Sequence, residues 1–133
     1  MALAEIINPK SLGAPRGYSN GVVLRGGAIL FVAGQVGWDA HQTIVEGGFT
    51  AQFEQALRNA VDVVTEAGGA VESIGRLTIY VQSRQEYLDT LEETGAAYRR
   101  VMGRHFPAMS LVEVVALVEP GALVEIEATA VLD

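Results

Sequence analysis

The clearest candidates for chemistry are carboxylates near the end of the chain. Glu125 and Glu127 alternate with apolar and small residues over positions 124–130, which places both on one side of a predicted strand. A carboxylate enclosed by packed surfaces can act as a general base or orient a water molecule. Glu125 is therefore a catalytic candidate, although from the residues alone Glu113, Glu125 and Glu127 are all more simply explained as structural carboxylates paired with arginine or solvent.

Polar and aromatic residues elsewhere add candidates for ligand binding. The Tyr18 hydroxyl and the Gln35 amide can contact a ligand, and the backbone amide of Met109 or Ser110 can bind an oxyanion. From the residues alone, the simpler explanation is that Tyr18 is an ordinary loop aromatic and that Gln35 caps its loop.

Metal and thiol chemistry are not expected. The chain has no cysteine, and neither His41 nor His105 has a partner at the spacing of a metal site. We therefore expect neither a metal nor a cofactor.

The composition indicates one folded domain, residues 1–133. Half of the residues are hydrophobic and 19% are charged, which excludes a disordered chain. The net charge of −7, with Lys10 as the only lysine, argues against a nucleic-acid partner. No apolar run approaches the roughly 20 residues of a membrane helix. The opening MALAEIINPK lacks the basic and apolar parts of a signal peptide, so we expect no membrane partner and a cytoplasmic location.

Hydrophobic periodicity predicts an α+β fold with two helices. Apolar residues recur every three or four positions from Phe49, and Gly68-Gly69 stops this first helix. Its polar residues, Gln52 among them, fall largely off the apolar stripe. The string SRQE at 83–86 matches a capping box that begins a second helix, which Pro107 would end.

The remaining chain predicts strands and two hairpins, one turning at Gly26-Gly27 and one at Pro120-Gly121. Even-numbered residues of both final strands are apolar or small, so we expect them to face the helices. The odd face carries carboxylates and large aliphatics such as Val115, which predicts burial between subunits. Aligning the even faces requires an odd-length loop or a bulge near 119–122. The strand-like runs are residues 4–8, 21–25, 28–33, 76–82 and two within 105–132.

Several short strings follow one another in a characteristic order along the chain. They are Tyr18 followed by SNG, FVAGQ at 31–35, residues 59–68, Tyr98, PAMS at 107–110 and VEIEA at 124–128. Their order and spacing resemble the reactive intermediate deaminase family, also called the YjgF/UK114 group, over essentially the whole chain. The resemblance implies a chorismate-mutase-like two-layer sandwich, with two helices on one face of a six-stranded mixed sheet. It also implies a homotrimer with a central barrel and ligand clefts between neighbouring subunits.

Active members of this family hydrolyse reactive enamines and imines to keto acids and ammonia. The resemblance implies that Glu125 positions the attacking water and that Tyr18, Gly34, Gln35 and Ser110 line the ligand cleft. We therefore expect hydrolytic deamination of a small molecule, or alternatively non-catalytic binding of one. A ribonuclease role is disfavoured by the acidic charge.

Three positions depart from the family pattern. Ala33 replaces a serine ahead of Gly34-Gln35. Met109 stands where the family has an arginine that binds the substrate carboxylate, and Gly95 replaces an asparagine. Methionine cannot form the bidentate, charge-assisted pair that arginine makes with a carboxylate, so we expect an altered substrate range. Arg16 and Arg76 are the candidate replacement cations. Trp38, together with Met109, would make the pocket more apolar.

Overall fold

The computed structural model describes residues 4–133. Residues 1–3, which open the segment that was judged not to be a signal peptide, lie outside the described residues. It confirms the α+β class. The strands are β1 (Glu5–Ile7), β2 (Gly21–Val23), β3 (Ala28–Val36), β4 (Ile74–Val81), β5 (Ala108–Glu113) and β6 (Val124–Leu132). The helices are α1 (Gly48–Glu66), α2 (Arg84–Asp89) and α3 (Leu91–Met102). Within the described range, no helix is long and apolar enough to cross a membrane.

The strands form two sheets rather than one. Strands β3, β6, β4 and β5 lie side by side in that order, with β4 and β5 parallel and the other neighbours antiparallel. Strand β1 pairs with β2 in a separate two-stranded sheet. An isolated bridge between Ser19 and Ala108 links the segment before β2 to the edge strand β5. The expected six-stranded sheet is therefore divided.

Strand β6 shows the predicted alternation most clearly. Its even-numbered residues from Val124 to Ala130 are buried in the core that the helices cover. Its odd-numbered residues are only partly buried, on the opposite face of the sheet, which we call the open face. Because strands flank β6 on both sides, its backbone is paired and its side chains must face either the helices or the open face.

The predicted C-terminal hairpin around Pro120-Gly121 is wrong. Strand β4 lies between β5 and β6, and residues 114–123 form a connecting segment in which Val115 is fully exposed. Because β5 and β6 do not pair with each other, no odd-length loop or bulge is needed near 119–122 to align their faces. Parallel pairing aligns Met109 with buried Leu77, which turns the odd face of β5, and not its even face, towards the helices.

The predicted hairpin at Gly26-Gly27 is also wrong, since β2 pairs with β1 and β3 pairs with β6. The Gly27 N–H donates to the Leu132 carbonyl at 2.8 Å, and a side chain at Gly26 would overlap the Leu132 backbone. The two glycines thus allow a close approach to the end of β6, which a sequence cannot distinguish from a tight turn.

Helix α1 confirms the predicted stripe and ends just before Gly68, whose φ is +93°. Gln52 contradicts the expected pattern, because it is only 5% exposed. Its side-chain amide donates to the Gly121 carbonyl at 3.1 Å, and its oxygen accepts the Leu123 N–H at 2.8 Å. The buried amide therefore satisfies the backbone of the connecting segment where β6 begins.

The second helical region is two helices rather than one. Ser83 caps α2 as predicted, because its hydroxyl accepts the Glu86 N–H at 3.1 Å. A break at Thr90 separates α2 from α3. Helix α3 ends at Gly103, whose φ of +63° stops it before Pro107 is reached.

Glu54 on α1 joins the helices of this layer to each other. Its carboxylate lies 2.7 Å from Arg100 on α3 and 2.8 Å from Arg58 on its own helix. The hydrogen bond from Arg100 is the main cause that lowers the pKa of Glu54 below its ordinary value of 4.5, and the Arg58 bond adds to it.

Replacing Glu54 with Gln is expected to lower the free energy of unfolding at neutral pH by about 0.5–1 kcal/mol. Because the folded pKa lies below the unfolded one, this stability is present above pH 4.5 and is lost as the pH falls below it. Urea denaturation at neutral and acidic pH checks this, with Asp62→Asn on the same helix as the control. A deficit of the same size at both pH values would contradict the assignment.

Candidate functional site

A cavity of about 320 Å³ lies among α2, α3, β4 and β5. Its walls are mainly apolar, as in most small-molecule sites. The Tyr98 and Phe106 rings stack in the wall with their centroids 5.3 Å apart. The interior therefore presents flat aromatic surface. Its main apolar residues are Phe53, Ile79, Tyr87, Tyr98, Phe106 and Leu111.

The hydroxyls of Tyr98 and Thr94, which line the interior, already have partners. The Tyr98 hydroxyl donates to the His105 carbonyl at 2.6 Å, and burial raises the pKa of Tyr98 well above its ordinary value. The Thr94 hydroxyl lies 3.2 Å from that of Thr50 and 3.1 Å from that of Thr90. Among residues 4–133, no buried side-chain nitrogen or oxygen lacks a hydrogen-bond partner. The interior thus holds few free groups for a polar ligand.

The cavity brings together three residues that the sequence singled out. Arg16 and Tyr18 lie on the exposed loop before β2, and Met109 lines the cavity from β5. Ser19 fixes this loop, because its N–H donates to the Pro107 carbonyl at 3.1 Å and its hydroxyl donates to the carbonyl of the residue before that proline. Arg16 and Tyr18 are thereby held at the rim.

Gly95 on α3 also lines the cavity. A β-carbon built there would find Arg99 Nη1 as its nearest neighbour, at 3.5 Å. The position is therefore open rather than a close approach between elements.

Glu125 lies on the open face of the sheet, between Val36 of β3 and Tyr80 of β4. A β-carbon on Gly34 would overlap the Glu125 carboxylate, so glycine at this position makes room for it. Gly34 lies at a register shift between Val32 and Gln35, a β-bulge that re-aims the local chain. The structure thus places two predicted site residues, Gly34 and Glu125, against each other.

Three other predicted site residues, Gln35, Ser110 and Arg76, do not line the cavity. The Gln35 amide donates to the Ala33 carbonyl at 3.0 Å, which matches the simpler explanation of a loop cap. Ser110 is exposed on the open face, beside Thr78. Arg76 lines a separate depression that Asn20, among others, also lines, and it does not line the cavity.

The predicted site residues therefore fall on opposite faces of one sheet. Met109 packs against the core on the helix side, whereas Glu125 occupies the open face with Tyr80 and Glu127. The Tyr80 hydroxyl donates to Glu127 Oε1 at 2.8 Å, and this bond is the main cause that raises the pKa of Tyr80. The sheet therefore lies between Glu125 and the cavity, which Glu125 does not line.

The histidines and Trp38 contribute no chemistry to the cavity. His105 Nε2 lies 2.7 Å from the Ile74 carbonyl, which indicates a structural role. Trp38 does not line the cavity, since it pairs with Ile44 in the loop after β3. In the part of the chain that the structure describes, no group of three His, Cys, Asp or Glu residues could hold a metal ion.

Sequence reasoning missed the aromatic walls of the cavity. The spacing of Leu91, Gly95 and Tyr98 on α3 was a usable signal, because these residues share one helix face and all line the cavity. The contributions of Phe53 and Tyr87 come from other elements, so no local pattern indicates them.

Comparison with known proteins gives a consistent assignment. The family model described as Endoribonuclease L-PSP matches residues 9–132. A RutC family protein from Synechocystis is 32% identical over 135 residues, covering 96% of each chain. The 2-iminobutanoate/2-iminopropanoate deaminase of Salmonella typhimurium is 33% identical over 114 residues, covering 86% of each.

Solved structures agree with these sequence matches. A Rid family protein of unknown function from Yersinia pestis superposes with a TM-score of 0.86 at 34% identity, covering 97% of this chain and 98% of that one. Escherichia coli TdcF with bound serine has a TM-score of 0.69 at 27% identity, covering 91% and 92%. The fold, the family model and these relatives together place the chain in the RidA/YjgF/UK114 family.

Proposed function

We propose that this protein is a hydrolytic deaminase that acts on enamines or imines of small amino-acid-like molecules. Water adds to the imine carbon, the carbon–nitrogen bond breaks, and a keto acid and ammonia leave. The reaction needs water and a positioned proton acceptor, and neither a metal nor a cofactor. A cytoplasmic location fits the absence of cysteine, and the acidic charge disfavours a nucleic-acid partner.

The cavity with Tyr18 at its rim and Met109 in its wall is the observation that carries this proposal. It has the size and apolar lining of a small-molecule site. Relatives from Salmonella and human carry the name 2-iminobutanoate/2-iminopropanoate deaminase, and a related structure holds serine. These relatives support imine hydrolysis as the reaction.

The proposed mechanism requires more than one subunit. Glu125 lies on the open face and the cavity lies on the helix side, so we assign the carboxylate near each bound substrate to the partner subunit's Glu125. Phe31 and Ile29 of β3 are 77% and 63% exposed, an apolar surface that subunit contacts would bury. A homotrimer with its sheets facing inward provides such contacts.

In this arrangement Glu125 holds the attacking water and accepts its proton as the carbon–oxygen bond forms. Gly34 keeps the space beside the carboxylate open. Tyr18 can donate its hydroxyl to a substrate oxygen at the rim.

A second function, binding without catalysis, has one observation in its favour. Met109 supplies no charge where substrate carboxylates are expected to bind. A small-molecule sensor would keep the cavity and need no chemistry from Glu125.

Catalysis is tested with an imine generated in situ by an amino-acid oxidase. Wild type should accelerate ammonia release beyond the spontaneous rate, and Glu125→Gln should reduce the enzymatic rate by about 100-fold, since general-base catalysis is lost. Glu127→Gln is the matched control, because the amide introduced there retains an oxygen that can accept the Tyr80 hydroxyl bond. No acceleration by wild type, with ligand binding intact, would select the binder instead.

Replacing Met109 with Arg is expected to raise the rate with small imino acids by about tenfold or more, because it restores a charge-assisted pair. Met109→Leu controls for the change in packing. Steady-state kinetics of the three proteins with the imine of alanine provide the measurement. If the Arg and Leu variants are indistinguishable, Met109 is not the position that limits carboxylate binding.

A further inference from the structure

The charge around the cavity is confined to one side chain of its lining. Among residues 4–133, Arg16 is the only charged residue that lines it. Arg16 is exposed and, within residues 4–133, forms no ion pair, whereas Arg25, Arg58 and Arg100 each bind a carboxylate. A guanidinium without a carboxylate partner at a cavity rim is available to a ligand anion.

The interior behind Arg16 suits the opposite kind of group. The stacked Tyr98 and Phe106 rings provide flat apolar surface, and Phe53 and Ile79 are buried behind them. The Tyr98 hydroxyl is already bonded to a backbone carbonyl. None of the described residues that line the interior is charged, and Met109 adds a flexible, polarisable thioether that packs well on aromatic rings.

The cavity therefore offers two kinds of binding surface, a charged rim and an apolar interior. A carboxylate fits at the rim beside Arg16 and Tyr18, and an apolar group fits inside. In an α-imino acid the reacting carbon is bonded directly to the carboxylate, so it would also lie at the rim, where another subunit can approach. The side chain of the imino acid would point inward.

Resting on the proposed deaminase function, we infer that the preferred substrates are α-imino acids with an aromatic side chain, and that Arg16 determines this specificity by binding their carboxylate. The aromatic ring would stack among Tyr98, Phe106 and Met109. Small imino acids would lose this contact, because their side chains are too short to reach the interior.

Stable acids test this inference without any catalysis. Calorimetry should show that 3-phenylpropanoate binds wild type at least about tenfold more tightly than propanoate, as expected for burial of a phenyl ring. 3-Phenylpropanamide, which lacks the charge, should bind about tenfold more weakly than the acid. Arg16→Gln should remove the preference for the acid over the amide and leave the affinity for the amide unchanged.

Arg104→Gln is the matched control, since Arg104 is also exposed and without an ion pair in the described chain, but does not line the cavity. Arg99→Gln tests the guanidinium nearest Gly95. Equal affinity for the two acids would overturn the aromatic preference. An unchanged Arg16→Gln variant, or a loss seen with Arg99→Gln instead, would overturn the role of Arg16.

The outcomes separate this inference from the proposed function. Selective binding of 3-phenylpropanoate without any imine hydrolysis would support the aromatic binding site and reject the proposed deaminase function. Hydrolysis that favours the imine of alanine over that of phenylalanine would retain the deaminase and reject the aromatic specificity.

Discussion

The alternation of side chains along β6 is the constraint on which the rest of the molecule depends. This strand lies between two others, so its backbone N–H and C=O groups are hydrogen-bonded to its neighbours. Each of its side chains must therefore point to one of the two faces of the sheet. The even residues form the floor of the core beneath α1. The same geometry directs Glu125 to the open face, away from the helices. The core and the separation of Glu125 from the cavity thus have one physical origin.

Local patterns were enough to predict the elements that depend on neighbours in the chain. The apolar stripe of α1, the Ser83 cap and the two faces of β6 all follow from periodicity or capping chemistry. The order of the strands in the sheet does not follow from such local patterns. A turn does form at Pro120-Gly121, where the Ala122 N–H donates to the Glu119 carbonyl at 3.1 Å, but the strands on either side of it do not pair with each other. Those on either side of Gly26-Gly27 do not pair with each other either. Burial of Gln52 likewise depends on a distant segment whose backbone it satisfies.

The site was predictable in its parts and not in its arrangement. Arg16, Tyr18 and Met109 were identified from the chain and do meet at one cavity. Arg76, equally plausible from the sequence, lies elsewhere because β4 presents it to the depression beside β2. The aromatic walls come from separate helices and a loop, so only the folded chain brings them together. Glu125 was predicted next to the cleft, yet the sheet itself separates it from the cavity of its own subunit.

We propose that a working site combines the cavity of one subunit with the partner subunit's Glu125. Co-expressing a Glu125→Gln subunit with a Gly95→Phe subunit, in which a ring fills the cavity, tests this most directly. Each variant alone lacks one half of every site, whereas mixed assemblies contain some sites with both halves intact. The account predicts that purified mixed assemblies recover imine hydrolysis. A mixture as inactive as the separate variants, beside an active wild type, would contradict it.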